Sequence, residues 1–264
     1  MKKMSFLTMS VTAIALLSAT LYACKKDDAT NQSTQTAKVS MHLTDAPADY
    51  DAVYIDVQSV EVTMEGSAAV VIPAIRPGVY DLLKFRNGMN TLLARADIPA
   101  GKISQMRLIL GANNSVVVDG QTYPLNTPSA QESGLKLNVK QEFVAGGAYD
   151  VWIDFDAGES IVTTGSGKYQ LKPVVRAYTA LKDGRIKGYV LPGAALATVY
   201  ATNGTDVYAA IPAADGFFMF TGLPEGTYTI TLDASLVTFT DVTINNVLVK
   251  FGATADLGIT TLKP

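Results

Sequence analysis

A chain of 264 residues with a formal charge of −3 is long enough for two domains with separate cores, and it carries no basic excess to attract a phosphate backbone, which argues against a nucleic-acid partner. Its single cysteine leaves nothing to pair in a disulfide, so stability must come from packing. Its single histidine, His42, would have to centre any Ser-His-Asp arrangement or histidine-bearing metal site.

The first element is a targeting segment. Lys2 and Lys3 form a charged start, Phe6 to Leu21 an apolar run, and Leu21-Tyr22-Ala23-Cys24 places a small residue before the cysteine, so Met1–Ala23 is expected to be a secretory signal cut ahead of Cys24. A spanning helix over Met4–Ala23 would have about the 20 residues a bilayer needs. Against it stand the cysteine at the cut and the abrupt polarity of Lys25-Lys26-Asp27-Asp28. Losing Lys2 and Lys3 makes the formal charge two units more negative, −5. Residues 24–37, rich in Asp, Asn, Gln, Ser and Thr, then read as a flexible tether of roughly 20 Å.

From Val39 onward the dominant period is two: Val39, Met41 and Leu43, then Val53, Ile55 and Val57, then Val60, Val62 and Met64. The change of phase between Val57 and Val60 predicts a bulge or bend. Further strands are expected at Met106–Leu110, Val116–Val118, Leu135–Val139, Tyr149–Phe155 and Leu171–Tyr178, with turns at Asn87-Gly88, Asp119-Gly120 and Gly165-Ser166-Gly167. Tyr80–Ala96 differs, because Leu82, Leu83, Leu92 and Leu93 have helix-compatible spacing, and one or two helical turns are expected there. The charged stretch Leu181-Lys182-Asp183-Gly184-Arg185 marks a boundary between a first module, residues 38–180, and a second, residues 184–263. In the second, short strands near 186–190, 197–201, 207–211, 217–220, 227–232, 240–248 and 256–262, separated by Gly and Pro turns, indicate a sandwich. The expected fold class is therefore mostly β: two antiparallel β-sandwich-like modules after a signal peptide and flexible tether.

Carboxylates are the only site chemistry in good supply. Asp45, Asp49 and Asp51 fall in one loop, and Asp150, Asp154, Asp156 and Glu159 near another. Such oxygens suit Ca²⁺, although neither stretch has EF-hand spacing; paired acids suit a glycosidase; and Asp also fills solvated strand edges and turns. His42 sits in the polar phase of its strand and is expected to face solvent. No nucleophile elbow or glycine-rich phosphate loop accompanies these acids, so the chain is read as a non-enzyme without a cofactor. Strand alternation puts Trp152 on the same face as Asp150, Asp154 and Asp156, which leaves two readings open. Trp152 with Asp154 and Asp156 grips a sugar, ring on the apolar sugar face and acids on its hydroxyls, or Trp152 is covered by a loop or by the second module.

Several stretches resemble known families. Leu21-Tyr22-Ala23-Cys24 resembles the lipobox of bacterial lipoproteins, with Tyr22 larger than usual, and implies a diacylglycerol on the Cys24 sulfur and hence a membrane partner. Lys26-Asp27-Asp28 resembles the export tag of some Gram-negative lipoproteins and implies an outer-membrane location facing the cell exterior. Leu43-Thr44-Asp45-Ala46-Pro47, Asp81-Leu82-Leu83, Leu92-Leu93-Ala94, Pro99-Ala100-Gly101-Lys102, Arg107-Leu108, Asp154-Phe155-Asp156 and Gly167-Lys168-Tyr169 together resemble the domain of unknown function 4382, which transfers no activity. Gly184 to Val190, Asp215 to Phe220 and Gly222 to Ile230 resemble the carboxypeptidase regulatory-like domain, a transthyretin-like, non-catalytic sandwich. Together these imply a surface-anchored binding protein for a glycan or an envelope protein, or else a structural component of an envelope or adhesive assembly.

Overall fold

Strands turn successive side chains to opposite faces, so period-two alternation converts directly into one buried and one outward face. The computed structural model describes residues 35–264 apart from Pro47, residues 128–132, Asn138, Lys140, residues 181–182, Thr205 and residues 236–237. The expected signal Met1–Ala23, the lipid site Cys24, the Lys26-Asp27-Asp28 motif and the tether as far as Thr34 lie outside the described residues. Where description begins, the first strand already starts at Thr36, and Ala37 is fully buried, so the tether ends earlier than residue 37.

The first half of the chain forms β1 (Thr36–Ala46), β2 (Ala52–Met64), β3 (Ala69–Asp81), β4 (Thr91–Pro99), β5 (Gly101–Leu110), β6 (Ser115–Val118), β7 (Gln121–Asn126), β8 (Leu135–Leu137), β9 (Glu142–Phe143), β10 (Ala148–Asp156), β11 (Ile161–Thr163), β12 (Tyr169–Leu171) and β13 (Val175–Thr179). The second half forms β14 (Gly184–Leu191), β15 (Thr198–Asn203), β16 (Asp206–Ala210), β17 (Phe217–Leu223), β18 (Gly226–Asp233), β19 (Val242–Val249) and β20 (Thr254–Thr261). Strand accounts for 65% of the described residues and helix for 6%, in a mostly β, sandwich-like fold.

In the first module a four-stranded sheet, β13-β10-β1-β4, shares a core with a nine-stranded sheet of order β11-β12-β7-β6-β2-β5-β8, in which β3 adds to β2 and β9 to β5. Val39, Met41 and Leu43 of β1 and Val151, Ile153 and Phe155 of β10 meet Val53, Ile55, Val57, Val60 and Val62 of β2 there, all fully buried. The register of β2 slips between Val57 and Ser59 against both β3 and β5, which is the bulge that resets its inward phase. The ladders are mostly antiparallel but not purely so. β1 pairs parallel with β10, β7 with β12 and β14 with β20, because in each pair the chain returns by way of other strands and not through a hairpin.

Two expected elements divide. Within Tyr80–Ala96 the helical part is one 3-10 turn, Leu82–Phe85, whereas Leu92 and Leu93 belong to β4, drawn into a strand by pairing with β1. The expected strand Leu171–Tyr178 is two, β12 in the large sheet and β13 in the small one, broken around Pro173, which has no N–H for a ladder.

The second module has its own core between the sheets β17-β14-β20 and β16-β15-β18-β19. Phe218 and Phe220 enter it from one sheet, and Tyr228, Ile230 and Leu232 from the other. The corner Gly222–Gly226 carries the chain from one sheet to the other and closes no hairpin. Residues 35–264 together make one compact unit.

Candidate functional site

Parallel pairing of β1 with β10 sets Thr44 opposite Asp154, Asp45 opposite Phe155 and Ala46 opposite Asp156. Two acidic stretches more than a hundred residues apart thus end side by side. Asp45, Asp154 and Asp156 come together there, with Glu159 just beyond in the short helix Ala157–Ser160. The remaining acids go elsewhere. Asp51 accepts a 2.8 Å bond from the Gly120 N–H in the β6–β7 turn, Asp150 is exposed beside His42, and Asp49 borders a separate cavity beside Tyr50.

Asp45 continues the inward phase of Val39, Met41 and Leu43, so a carboxyl stands where the fold places core residues, and it is only 5% exposed. One oxygen, Oδ1, accepts from the Ala157 N–H at 3.1 Å. The other, Oδ2, is buried without a partner. Burial, then the charge of Asp154, holds this carboxyl well above the usual aspartate range. Asp156 caps the short helix through a 3.0 Å bond to the Glu159 N–H; its burial pushes it upward, and that bond pulls it back in part. Asp154 is also buried, but it is paired with the Arg176 guanidinium from β13. Among the described residues, Asp45, Asp156, Glu159 and Asp206 enter no ion pair.

Trp152 occupies the middle of a cross-strand row. His42 of β1 lies opposite it on one side and Tyr178 of β13 on the other, with ring centroids 5.3 and 5.8 Å away and planes tilted by only 18° and 8°. Because β1 and β13 flank β10, the two partners cover opposite faces of the indole. His42 does not simply face solvent. Its ring nitrogens lie 3.1 Å from Asn90 Oδ1 and 3.1 Å from Asp150 Oδ1 while the ring stacks on Trp152.

The second module rests on the far end of this row. The Tyr178 hydroxyl donates to Thr221 Oγ1 at 2.9 Å, and the Arg176 guanidinium lies 4.7 Å from the centre of the Tyr208 ring. Burial, then the charge of Asp154, drives the Tyr178 hydroxyl far above its ordinary pKa. The Asn87-Gly88 turn reaches across as well, with Asn87 donating to the Ile211 carbonyl at 3.2 Å and accepting from the Met219 N–H at 3.4 Å. Between these contacts is a cleft of about 490 Å³. Asp45, Asp154, Asp156, Glu159, Arg176 and Asp206 supply its charges, and Val174, Val207, Tyr208, Phe220 and Leu223 its apolar walls. Sequence reasoning singled out Asp154 and Asp156 but not Arg176 or Tyr208, which look unremarkable along the chain, and it marked Asn87 as a turn residue without its cross-module bonds. Asp45, expected in a loop with Asp49 and Asp51, instead lies near the end of β1; the signal for this was its place in the apolar phase set by Val39, Met41 and Leu43. No three acidic or histidine side chains are grouped to hold a metal ion among the described residues. None of the described helices is long and apolar enough to cross a membrane.

Residues 36–173, just over half of the chain, match the family described as domain of unknown function (DUF4382). The chain belongs to the DUF4382 family. Asp45, Asp154 and Asp156 all lie inside the matched span of this DUF4382 protein, whereas Arg176, Tyr208 and the rest of the second module lie beyond it. No curated protein matches the sequence. Among solved structures, the chain overlaps the Bacillus anthracis TIE protein at 11% identity and a TM-score of 0.24, covering 87% of this chain but only 34% of that one. BcpA, the major pilin subunit of Bacillus cereus, overlaps at 11% identity and a TM-score of 0.23, with 86% and 70% of the two chains covered. The pilus backbone protein RrgB of Streptococcus pneumoniae gives 11%, 0.24, 86% and 91% in the same order. At TM-scores this low the overlap establishes no common fold and carries no functional argument.

Proposed function

We propose that this DUF4382 protein is a lipid-anchored, surface-displayed binding protein without enzymatic activity, and that the cleft between its modules is the ligand site. The observation that carries the reading is the convergence of Asp45, Asp154 and Asp156 with Arg176 in a concave, partly apolar space of about 490 Å³, within the size range of ligand pockets. Anchoring rests on the Leu21-Tyr22-Ala23-Cys24 sequence, and outward display at the outer membrane on Lys26-Asp27-Asp28. We assign residues 184–263 to the carboxypeptidase regulatory-like class on their sequence phrasing; two sheets of three and four strands around one core are consistent with it.

A glycan and an envelope protein are the two partner classes. Flat stacking of a sugar on Trp152 does not suit this geometry, since His42 and Tyr178 already cover the ring. A glycan would depend on hydrogen bonds to Asp156 and Glu159 at the cleft. Labelling cells with radioactive palmitate, with Cys24→Ala as the control, tests the anchor, and protease shaving of intact cells tests display. Glycan-array and pull-down binding by the wild-type protein and by Asp156→Asn tests the cleft, which is abandoned if the variant binds like the wild type.

A second reading, a structural subunit of an envelope assembly, is favoured by one surface. On the outer side of β14 and β20, Tyr189 and Ile259 stand opposite each other, 40% and 67% exposed, with Phe217 against Tyr189 at 5.4 Å. Co-purification of envelope proteins that is lost in Ile259→Asp supports it.

A further inference from the structure

Two carboxylate oxygens among the described residues are buried without a partner, Asp45 Oδ2 and Asp81 Oδ1. Only Asp45 lines the inter-module cleft. A buried acceptor left unmade costs free energy that a native fold rarely leaves unrecovered. The surroundings specify the donor that would complete it. Five carboxylates, Asp45, Asp154, Asp156, Glu159 and Asp206, line this space against one cation, Arg176, which is already committed to Asp154 and to the face of Tyr208. Acidic groups therefore outnumber cationic ones at the polar end of the cleft.

We propose that this cleft binds a primary alkylammonium group, with Asp45 and Asp156 as its anions and its methylene stem lying against the exposed Val174 and Val207. The inference rests on the reading of the cleft as the ligand site and names the chemistry of what enters it. An ammonium has three N–H donors and no acceptor, so it supplies the bond that Asp45 Oδ2 lacks while adding the missing positive charge. A bare divalent ion fits less well, because among the described residues no three acidic side chains are placed to share one metal ion, and the apolar walls would contribute nothing to holding it. A neutral sugar fits less well too. Arg176 covers one face of Tyr208, both Trp152 faces are taken by their neighbours, and Phe220 on the wall is only 4% exposed, so little aromatic face is open to a sugar ring at the cleft. The upward displacement of the Asp45 and Asp156 titrations points the same way, since burial and neighbouring acids make their charge costly until a cation arrives.

The test uses the purified full-length chain, titrated in parallel with 1,5-diaminopentane, Nα-acetyl-lysine N-methylamide, N-acetylglucosamine and calcium chloride. Heat of binding and the emission of Trp152, the sole tryptophan, are the two readouts. Binding of either amine is expected, weakened about tenfold or more in Asp45→Asn, as suits loss of a charged hydrogen bond. Asp150→Asn, outside the cleft, should bind like the wild type. The relative affinity of the two amines distinguishes a free diamine from the lysine side chain of a partner protein as the source. Should Asp45→Asn unfold, Val207→Trp, which fills the cleft from an exposed position, replaces it and must abolish amine binding. If the sugar or Ca²⁺ binds, is blocked by Val207→Trp, and neither amine binds, the ammonium assignment is overturned and the cleft reading survives. If none of the four binds, both are overturned.

Discussion

The ring of Tyr178 lies on Gly222 so closely that a Cβ at residue 222 would sit 2.3 Å from Tyr178 Cε1, well inside van der Waals contact. Gly222 also has φ +65, in the left-handed region that other residues enter at a cost. The close approach seats β13 of the first module on β17 of the second. Gly222→Ala is therefore expected to lower stability by about 2–4 kcal/mol, from the clash and the strained backbone together. Denaturant unfolding checks this, and a loss below about 0.5 kcal/mol would show that the two modules do not meet as described.

Asn87 bridges the modules from a turn at φ +56. Two substitutions separate its roles. Asn87→Gly keeps the turn but removes both cross-module bonds, and should cost about 1–2 kcal/mol; Asn87→Ala adds the left-handed penalty and should cost about 1 kcal/mol more. Equal losses in the two variants would mean that the backbone at Asn87 is not strained, and no loss in either would remove the bridge.

Stability should fall as pH rises above the ordinary aspartate value of 3.8, because Asp45 and Asp156 release their protons later in the folded than in the unfolded protein. For an acid whose folded pKa is raised, the favourable contribution is complete below the unfolded value and is lost as pH climbs through the folded one. Asp45→Asn, which cannot titrate, should flatten that slope. Thermal melting between pH 4 and 8 measures it, and parallel curves for wild type and variant would assign the slope to other groups.

Trp152 is expected to act through packing. Trp152→Ala should cost about 2–4 kcal/mol and leave glycan-array binding unchanged, because neither face of the ring is free to take a sugar. His42→Ala uncovers one of those faces and should make Trp152 emission more sensitive to iodide. Loss of glycan binding in a Trp152→Phe variant that remains stable would restore the sugar-platform reading.

Much of the fold was readable residue by residue. The alternation of Val39, Met41 and Leu43 announced β1, and the slip between Val57 and Val60 announced a bulge that occurs at Val57/Ser59 in β2. The strands expected near 217–220 and 227–232 are present, and they carry Phe218, Phe220, Tyr228 and Ile230 into the core of the second module. Leu92 and Leu93 were not legible as strand, because their spacing suits a helix and only pairing with β1 draws them into β4. Nor was the environment of His42. Alternation gives the face of a strand but not its neighbour, and the neighbour turned out to be Trp152.

What the amino-acid order determined by itself was local: strand phases, turns and the short-range signals at Cys24. Strand partners are chosen by whole-chain packing, since any apolar face can cover any other of matching shape. The parallel pairing of β1 with β10 is such a choice, and it alone brings Asp45 beside Asp154 and Asp156. Docking of the second module is another. It sets Tyr208 over Arg176 and turns an acidic strand end into a cleft, a decision made by contacts between side chains tens to more than a hundred residues apart.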